Sequence, residues 1–517
     1  MKKISQGADA QRKSTGKAYS GHVFSGMLWL VLQTLGSRAV GVVSQLLLAW
    51  ILDPTIFGII STVYAVTTLA GVVTNFGIDD LLLQRRRSLA FWAPTALIFQ
   101  FILSVLALLV SVLGGCVASI YLNNGEVVLL SLLVGFNFLF GPMQILPSTI
   151  LRLRMDFKII SIVNFSENAL QQVSVISLAY LGWGAYSFVA FIPIISLAKS
   201  AVLWYLCRSK FSWGAEKTRS GKIRLRKIAI LLRNGSMIFQ TRFFVNVVSQ
   251  GDYVVLGFFS NTAEVGYYFF AYKLAVQPLW LIAGNISSVI YPALVALSKE
   301  HLRQMAAAKR AAMFLSYSAF PVCFLQGELC RPALSVVFGA KWEASIPILQ
   351  ILSFGIGFDA VGWVAGTYLN ARREYAKMLR TMAVFAGIFL IMVTIGAYTN
   401  GVLGVAVSVS FYHFLIGVFF ANMIFGSRLF DVVAFWELLL KPAILAFAAL
   451  TVCFVSTYLI DYWWQLISSP ILFLTTYLLL LRLSAKDVAE EFIARIWTER
   501  LGRSISVALG LIRARLG

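Results

Sequence analysis

This chain is short of charge. Of its 517 residues only 13% are Asp, Glu, Lys or Arg, about half the share carried by a soluble domain. A water-soluble fold of this length needs a polar skin over its core, and too few charged side chains are present to supply one. Histidine is nearly absent, with three copies. His22 and His301 fall in polar junctions, and His413 stands alone in an apolar run, where packing against aromatics is expected. The five cysteines, Cys116, Cys207, Cys323, Cys330 and Cys453, are an odd number without metal-ligand spacing, so neither a disulfide scaffold nor a zinc site is indicated. No GxxxxGK[ST] loop and no HExxH pair occurs, which argues against nucleotide-driven and metallopeptidase chemistry. No junction on the side that is poor in Lys and Arg exceeds about twenty residues, the order of one membrane-crossing run, which leaves little room for a membrane polymerase or ligase site.

What is present is apolar length. Hydrophobic residues make up 59% of the chain, and the mean hydropathy is +0.82. Apolar runs recur at 23–51, 55–77, 93–120, 128–150, 160–181, 184–206, 235–258, 265–294, 311–329, 346–369, 378–397, 402–425, 442–460 and 463–482. Each is long enough to cross about 30 Å of hydrocarbon as a helix. Helices are required, because backbone groups in lipid must be satisfied within their own segment. The sequence therefore predicts an all-α polytopic membrane protein with about fourteen transmembrane helices.

The net charge of +21 is explained by topology. The N-terminal tail, alternate junctions and the C-terminal tail, with Arg380 and Arg482 at the ends of the runs that border them, hold 37 of the 43 Lys and Arg residues, whereas the opposite junctions hold two, Arg331 and Lys341. Positive charge stays on the cytoplasmic side, so both termini are expected there. Anionic headgroups, not nucleic acid, are the expected counter-charge. The polar start of the chain and the length of its first apolar run speak against a cleaved signal peptide.

The predicted organisation is a basic N-terminal tail (1–21), a six-helix lobe (22–206), a basic linker (207–234), a second six-helix lobe (235–425), two further helices (426–482) and an amphipathic tail on the membrane surface (483–517). An even number of helices before the linker makes the two lobes parallel repeats. Support from sequence is weak: at a shift of 208 residues Gly58 meets Gly266 and Tyr64 meets Tyr272.

Polar residues inside the spans are costly and therefore informative. Asn164, Glu167, Asn168 and Gln171 lie at i, i+3, i+4 and i+7 on one face, with Ser161 and Ser174 extending it. Arg38 and Gln45 share a face of the first span, and Arg242, Asn246 and Ser249 a face of the seventh. Lys273 and Asp359 sit within the eighth and tenth. Asp252 and Lys273, counted from the turn between their spans, come out level and within reach of an ion pair, either structural or opened by substrate or a proton. Lys199 and Glu328 lie toward span ends and are expected to snorkel to the interface. These stripes indicate a hydrated internal cavity. Interhelical hydrogen bonding is the plainer account of the scattered Ser and Thr, but not of the charges.

Several short stretches, in order, carry a resemblance. Leu52-Asp53-Pro54-Thr55-Ile56-Phe57-Gly58 resembles an L-x-P-x-x-F-G turn. Leu151-Arg152-Leu153-Arg154-Met155-Asp156-Phe157 resembles a basic LRR-x-M-x-F junction. Asp252 and Gly257, followed by Gly266, Tyr268 and Ala271, resemble a D-x-x-x-x-G…G-x-Y-x-x-A stretch. Tyr291-Pro292 resembles the end of the eighth helix, and Phe338-Gly339 with Trp342 and Pro347 an F-G-x-x-W-x-x-A-x-P loop. Together they resemble the polysaccharide transporter (oligosaccharide flippase) branch of the multidrug/oligosaccharidyl-lipid/polysaccharide exporter superfamily. That resemblance implies a flippase, not an enzyme, for undecaprenyl-pyrophosphate-linked oligosaccharides in the bacterial inner membrane, serving O-antigen, capsule or exopolysaccharide synthesis by alternating access. It implies no cofactor, leaves coupling to H+ or Na+ open, and suggests other polysaccharide assembly proteins as partners. Within this reading Arg38, Arg242, Gln45, Asn246 and Lys273 are the expected substrate-binding residues, and Glu167, Asp252 and Asp359 the expected ion-coupling residues. The competing expectations are a cation-coupled drug antiporter of the same superfamily and a membrane glycan polymerase or ligase.

Overall fold

Apolar runs of this length have one way to satisfy their backbone, and the structure uses it throughout. The computed structural model describes residues 29–74, 76–84, 88–208, 221–425, 432–457 and 460–485, and among the described residues the ordered elements are helical, with no strand. Among the described residues ten helices are long and apolar enough to cross a membrane. They are α1 (Trp29–Ile51), α2 (Pro54–Thr74), α4 (Leu89–Leu122), α5 (Glu126–Leu153), α7 (Gly184–Cys207), α11 (His301–Trp342), α12 (Ser345–Ala371), α13 (Tyr375–Met423), α14 (Val432–Val455) and α15 (Tyr462–Ser484). The short α3 (Ile78–Gln84) sits between α2 and α4. Three further stretches lie outside those ten: α6 (Phe157–Tyr180) and α8 (Gly221–Phe259), which carry the polar stripes, and the consecutive pair α9 (Thr262–Ala275) and α10 (Gln277–Ala296).

Three boundaries differ from the sequence expectation, each for a physical reason. The apolar run at 265–294 is two helices, because Pro278 lacks the N–H that a continuous helix needs at the start of α10. Helix α8 begins at Gly221, well before the apolar run at 235. Its early part is amphipathic: Leu231 is buried in a cluster with Trp92, Phe99 and Leu103 of α4, with Ile228 packed against it, while the Lys227 ammonium donates to the Phe91 carbonyl at 2.9 Å. Helix α13 contains two apolar runs and breaks between them at Asn400 and Gly401, where Gly401 takes φ +54°. The arms fold back on one another, with the Ser408 hydroxyl donating to the Met392 carbonyl at 2.9 Å. The tails 1–21 and 483–517 lie outside the described residues except for 483–485, as does the linker between 209 and 220.

Packing divides the chain into two compact units. The first comprises the helices up to Leu274 together with Arg373–Val409; the second comprises Ala275–Arg372 together with the helices from Ser410 onward. In the first unit, α2 and α9 cross so closely that each places a glycine against the other's backbone. A Cβ on Gly58 would overlap the Thr262 carbonyl, and one on Gly266 would overlap the Pro54 carbonyl. The turns at Asp53 and at Ser260–Asn261 are therefore at one level, a reference from which depth along α1, α8 and α9 can be counted. In the second unit, α11 is the central element, with Tyr317, Phe320 and Phe324 buried along it. The Tyr477 hydroxyl of α15 donates to the Tyr317 carbonyl at 2.9 Å, and Lys309 pairs with Glu437 at 2.9 Å.

Candidate transport site

Counting from that common level places the candidate residues. Gln45 and Asp252 are each eight residues from their turns, about 12 Å deep at 1.5 Å per residue. Lys273 is twelve residues from Asn261, about 18 Å deep, and Arg38 fifteen from Asp53, about 22 Å. Arg242 is deeper still, about 27 Å from Ser260.

A polar cavity of about 160 Å³ opens inside the first unit at the middle depths. Gln45 of α1, Tyr64 of α2, Gln171 and Gln172 of α6 and Lys273 of α9 line it. Two expected substrate-binding residues, Gln45 and Lys273, thus come together, joined by Gln171 from the polar face of α6. Gln45 is positioned by donating Nε2 to the Phe270 carbonyl at 3.3 Å, which stitches α1 to α9. The Lys273 ammonium lies 5.3 Å from the Phe269 ring centroid, within the range of a cation–π contact.

Asp252 has hydrogen-bond partners that the ion-pair expectation did not name, while Lys273 stays within electrostatic reach of its carboxylate. Its carboxylate is buried, accepts the Tyr268 hydroxyl at 2.7 Å and accepts the Tyr253 N–H at 2.9 Å. Helix α9 starts at Thr262 and not at 265, so Tyr268 is the residue level with Asp252 and Lys273 lies about one turn deeper. Tyr253, Tyr268 and Tyr272 close around the carboxylate with ring centroids 5.6–6.0 Å apart.

Glu167 has a partner that the sequence reading assigned to the interface. Lys199 of α7 reaches it at 2.7 Å, with both side chains mostly buried. The signal was present: Glu167 and Lys199 are each fifteen residues from the turn at Gly182–Gly184, so they are level. Lys199→Ala is expected to lower the unfolding temperature by leaving a carboxylate without its cation, at a cost below the roughly 3–5 kcal/mol of a wholly buried pair. The exchange Glu167→Lys with Lys199→Glu is expected to recover most of that loss, and thermal unfolding of detergent-solubilised protein measures it.

Arg242 lines a second cavity of the first unit, of about 280 Å³, with Arg152, Asp79, Gln100 and Gln144. Asn246, grouped with Arg242 in the sequence, instead turns its amide back on its own helix and donates to the Arg242 carbonyl at 2.8 Å. Arg38 is half-buried on α1. In the second unit, Asp359 closes a short 3₁₀ turn, Gly357–Asp359, that interrupts α12, and its Oδ1 lies 3.9 Å from Nδ1 of His413. His413, expected only to pack against aromatics, thus also faces a carboxylate. No cluster of three or more His, Cys, Asp or Glu that would hold a metal ion occurs among the described residues.

Comparison with known proteins agrees with this architecture. The family described as polysaccharide biosynthesis protein matches residues 47–347. The succinoglycan biosynthesis transport protein ExoT of Rhizobium meliloti is 23% identical over 345 residues, covering 64% of this chain and 65% of ExoT, just under two thirds of its length. The lipopolysaccharide biosynthesis protein WzxC of Escherichia coli is 23% identical over 394 residues, covering 74% of this chain and 76% of WzxC. Among solved structures, the lipid II flippase MurJ in an inward closed conformation superposes with a TM-score of 0.70 at 14% identity, covering 89% of this chain and 99% of MurJ, which is a likeness of fold. The match over more than half its length, together with the polytopic helical fold, makes this chain a member of the polysaccharide biosynthesis protein family.

Proposed function

We propose that the protein is a flippase that carries undecaprenyl-pyrophosphate-linked oligosaccharide repeat units across the bacterial inner membrane, for O-antigen, capsule or exopolysaccharide assembly. The observation that carries this reading is the cavity formed by Gln45, Gln171 and Lys273, a polar and cationic space within apolar spans, in a chain of this family. A sugar pyrophosphate would lose its hydration at prohibitive cost in bare hydrocarbon. Amides offer hydroxyl partners and a lysine or arginine offers charge, so a lined path lowers that cost. The distribution of Lys and Arg supports cytoplasmic termini and fourteen spans, with lobes at 22–206 and 235–425 followed by two more helices. Transport would proceed by alternating exposure of the path as the lobes rock.

Coupling to H+ or Na+ falls to the buried carboxylates. Glu167 is held by Lys199, Asp252 by Tyr268, and Asp359 faces His413. Each is a carboxylate with a displaceable partner. The glycan assembly proteins that supply and consume the repeat unit are the expected partners.

Deleting the gene separates this reading from its rivals. A flippase mutant accumulates complete lipid-linked repeat units on the inner leaflet, measured by extraction and sugar analysis of the lipid fraction. A polymerase mutant would instead display single units outside, and a drug antiporter mutant would leave the repeat-unit pool unchanged; either result overturns the assignment.

A further inference from the structure

The candidate coupling carboxylates are not held alike. Glu167 is met by Lys199 at 2.7 Å, and Asp252 accepts the Tyr268 hydroxyl at 2.7 Å and a backbone N–H. Lysine and tyrosine do not ordinarily change charge near neutral pH. Asp359 faces the side-chain type that does, a histidine.

This pair lies near the middle of two spans. Asp359 is fourteen residues from Ser345 and twelve from Ala371, about 21 and 18 Å along α12. His413 is twelve residues past the break at Gly401, about 18 Å along the second arm of α13. Nδ1 of His413 is buried, makes no hydrogen bond and lies 3.9 Å from Oδ1 of Asp359. The Trp363 indole N–H donates to the same carboxylate. The Asp359 side chain is 27% exposed and that of His413 13%, so the carboxylate is the more open side of the pair.

The two helices have little freedom to change that distance. A Cβ on Gly355 would overlap Ser410, and one on Gly417 would overlap the Phe358 carbonyl, so α12 and the second arm of α13 are in close contact on either side of the pair. The Ser410 hydroxyl donates to the Ile351 carbonyl at 2.9 Å and pins the same crossing. The play that remains is in the side chains. A ring nitrogen without a proton faces a carboxylate as one acceptor faces another. With a proton it is a cationic donor, and a charge-assisted bond of about 2.7–2.9 Å becomes available.

We propose that Asp359 and His413 together bind one proton, and that this proton, not sodium, is the coupling ion of the second unit. Proton binding turns the 3.9 Å contact into an ion-paired hydrogen bond and cancels the carboxylate's charge inside the membrane. A hard cation such as sodium takes several oxygen ligands, whereas this carboxylate is accompanied by an imidazole and an indole N–H. The further titratable group facing the pair is Tyr412, within electrostatic reach of Asp359 and with its ring 5.6 Å from that of His413. From α11 and α14 come aromatic rings, Phe320 against Phe358 and Phe435 against Phe414. What the proton drives rests on the flippase reading; that it binds here does not.

The chain has three histidines, so full-length protein carrying His22→Gln and His301→Gln reports on His413 alone. Infrared difference spectra of that protein, with isotope-labelled histidine in nanodiscs, follow the ring between about pH 8 and 5. The expected result is one ring titration, a proton affinity about tenfold weaker in Asp359→Asn, and no change when sodium replaces potassium. Should the double variant not fold, spectra of the parent minus those of His413→Gln isolate the same ring. Absence of a ring titration in that range, a titration indifferent to Asp359→Asn, or one moved by sodium overturns the proton site. In cells, surface glycan per membrane-embedded protein is expected to vary with external pH in the parent and to be flat in His413→Gln. The same profile in both overturns the coupling role. A deletion strain that accumulates no repeat units would sink the flippase reading and leave the ring titration untouched.

Discussion

Arg242→Ala is expected to cut export by about ten- to a hundredfold, the loss that follows from removing about 1.5–3 kcal/mol of charge-assisted hydrogen bonding, while the protein stays in the membrane at normal abundance. Arg242 stands deep along α8, roughly 27 Å from the turn at Ser260, and lines a cavity whose other cation, Arg152, is already engaged with Asp79 at 3.6 Å. Removing Arg242 leaves that cavity with one cation and one anion, and no surplus positive charge among its described side chains to receive a phosphate. Arg242→Lys keeps the charge but loses the planar fork, so partial recovery is expected. Arg152→Ala should be the milder change, because part of its charge is spent on Asp79. Replacing Arg38, half-buried on α1, by Ala is expected to impair export too. The measurement is export of repeat units, by surface glycan per cell, normalised to membrane-embedded protein. Full activity in both Arg242→Ala and Arg38→Ala would falsify a phosphate-binding role for these arginines.

The helical, membrane-spanning character was legible because it follows from two coarse quantities, the length of apolar runs and the side on which positive charge falls. Neither depends on knowing a boundary to better than a few residues. The side-chain partners depend on boundaries, and there the sequence ran out. A start for α9 at Thr262 in place of 265 lowers every later residue by about 4.5 Å, enough to bring the Tyr268 hydroxyl onto Asp252, while Lys273, a turn deeper, still acts on that carboxylate through space. The Glu167–Lys199 pair failed for another reason. The two residues are level by simple counting, but a lysine near a helix end has a cheap alternative in the interface, and only the rotation of α7 about its axis decides between the two. Rotation also decided the fate of the α8 stripe: Arg242 meets a cavity, whereas Asn246, one turn on, bonds to its own helix. Gln171 and Gln45 were legible as polar faces, yet that they share one cavity was not, because nothing in the spacing says which faces meet. For His413, isolation in sequence concealed a carboxylate 54 positions away.

Gly266→Leu is expected to remove most of the folded protein from the membrane, and Gly266→Ala to lower its thermal stability measurably. In an unobstructed helix a glycine-to-alanine change stabilises, by roughly 0.5–1 kcal/mol. At this position the new methyl has no space, since an added Cβ overlaps the Pro54 carbonyl, and the Gly58 amide nitrogen lies 3.0 Å away. The opposing atoms are backbone, so no side-chain rotation relieves the overlap and α2 must move from α9. Overpacking of this kind costs roughly 1–3 kcal/mol and more when backbone must shift, a large part of the 5–15 kcal/mol typical of a whole protein. Gly58→Ala should behave alike, because its Cβ would overlap the Thr262 carbonyl from the other side of the same crossing. Gly387→Ala is the matched control, a helical glycine whose Cβ would meet nothing within 4 Å. Thermal unfolding monitored by fluorescence-detected size exclusion should rank Gly387→Ala at or above the parent and both crossing variants below it. The consequence reaches the transport site: this crossing sets the height of α9 against α2 and, through the Gln45–Phe270 bond, against α1. Surviving Gly266→Ala protein should therefore lose export out of proportion to its loss of abundance, because Lys273 is carried on the helix that moves.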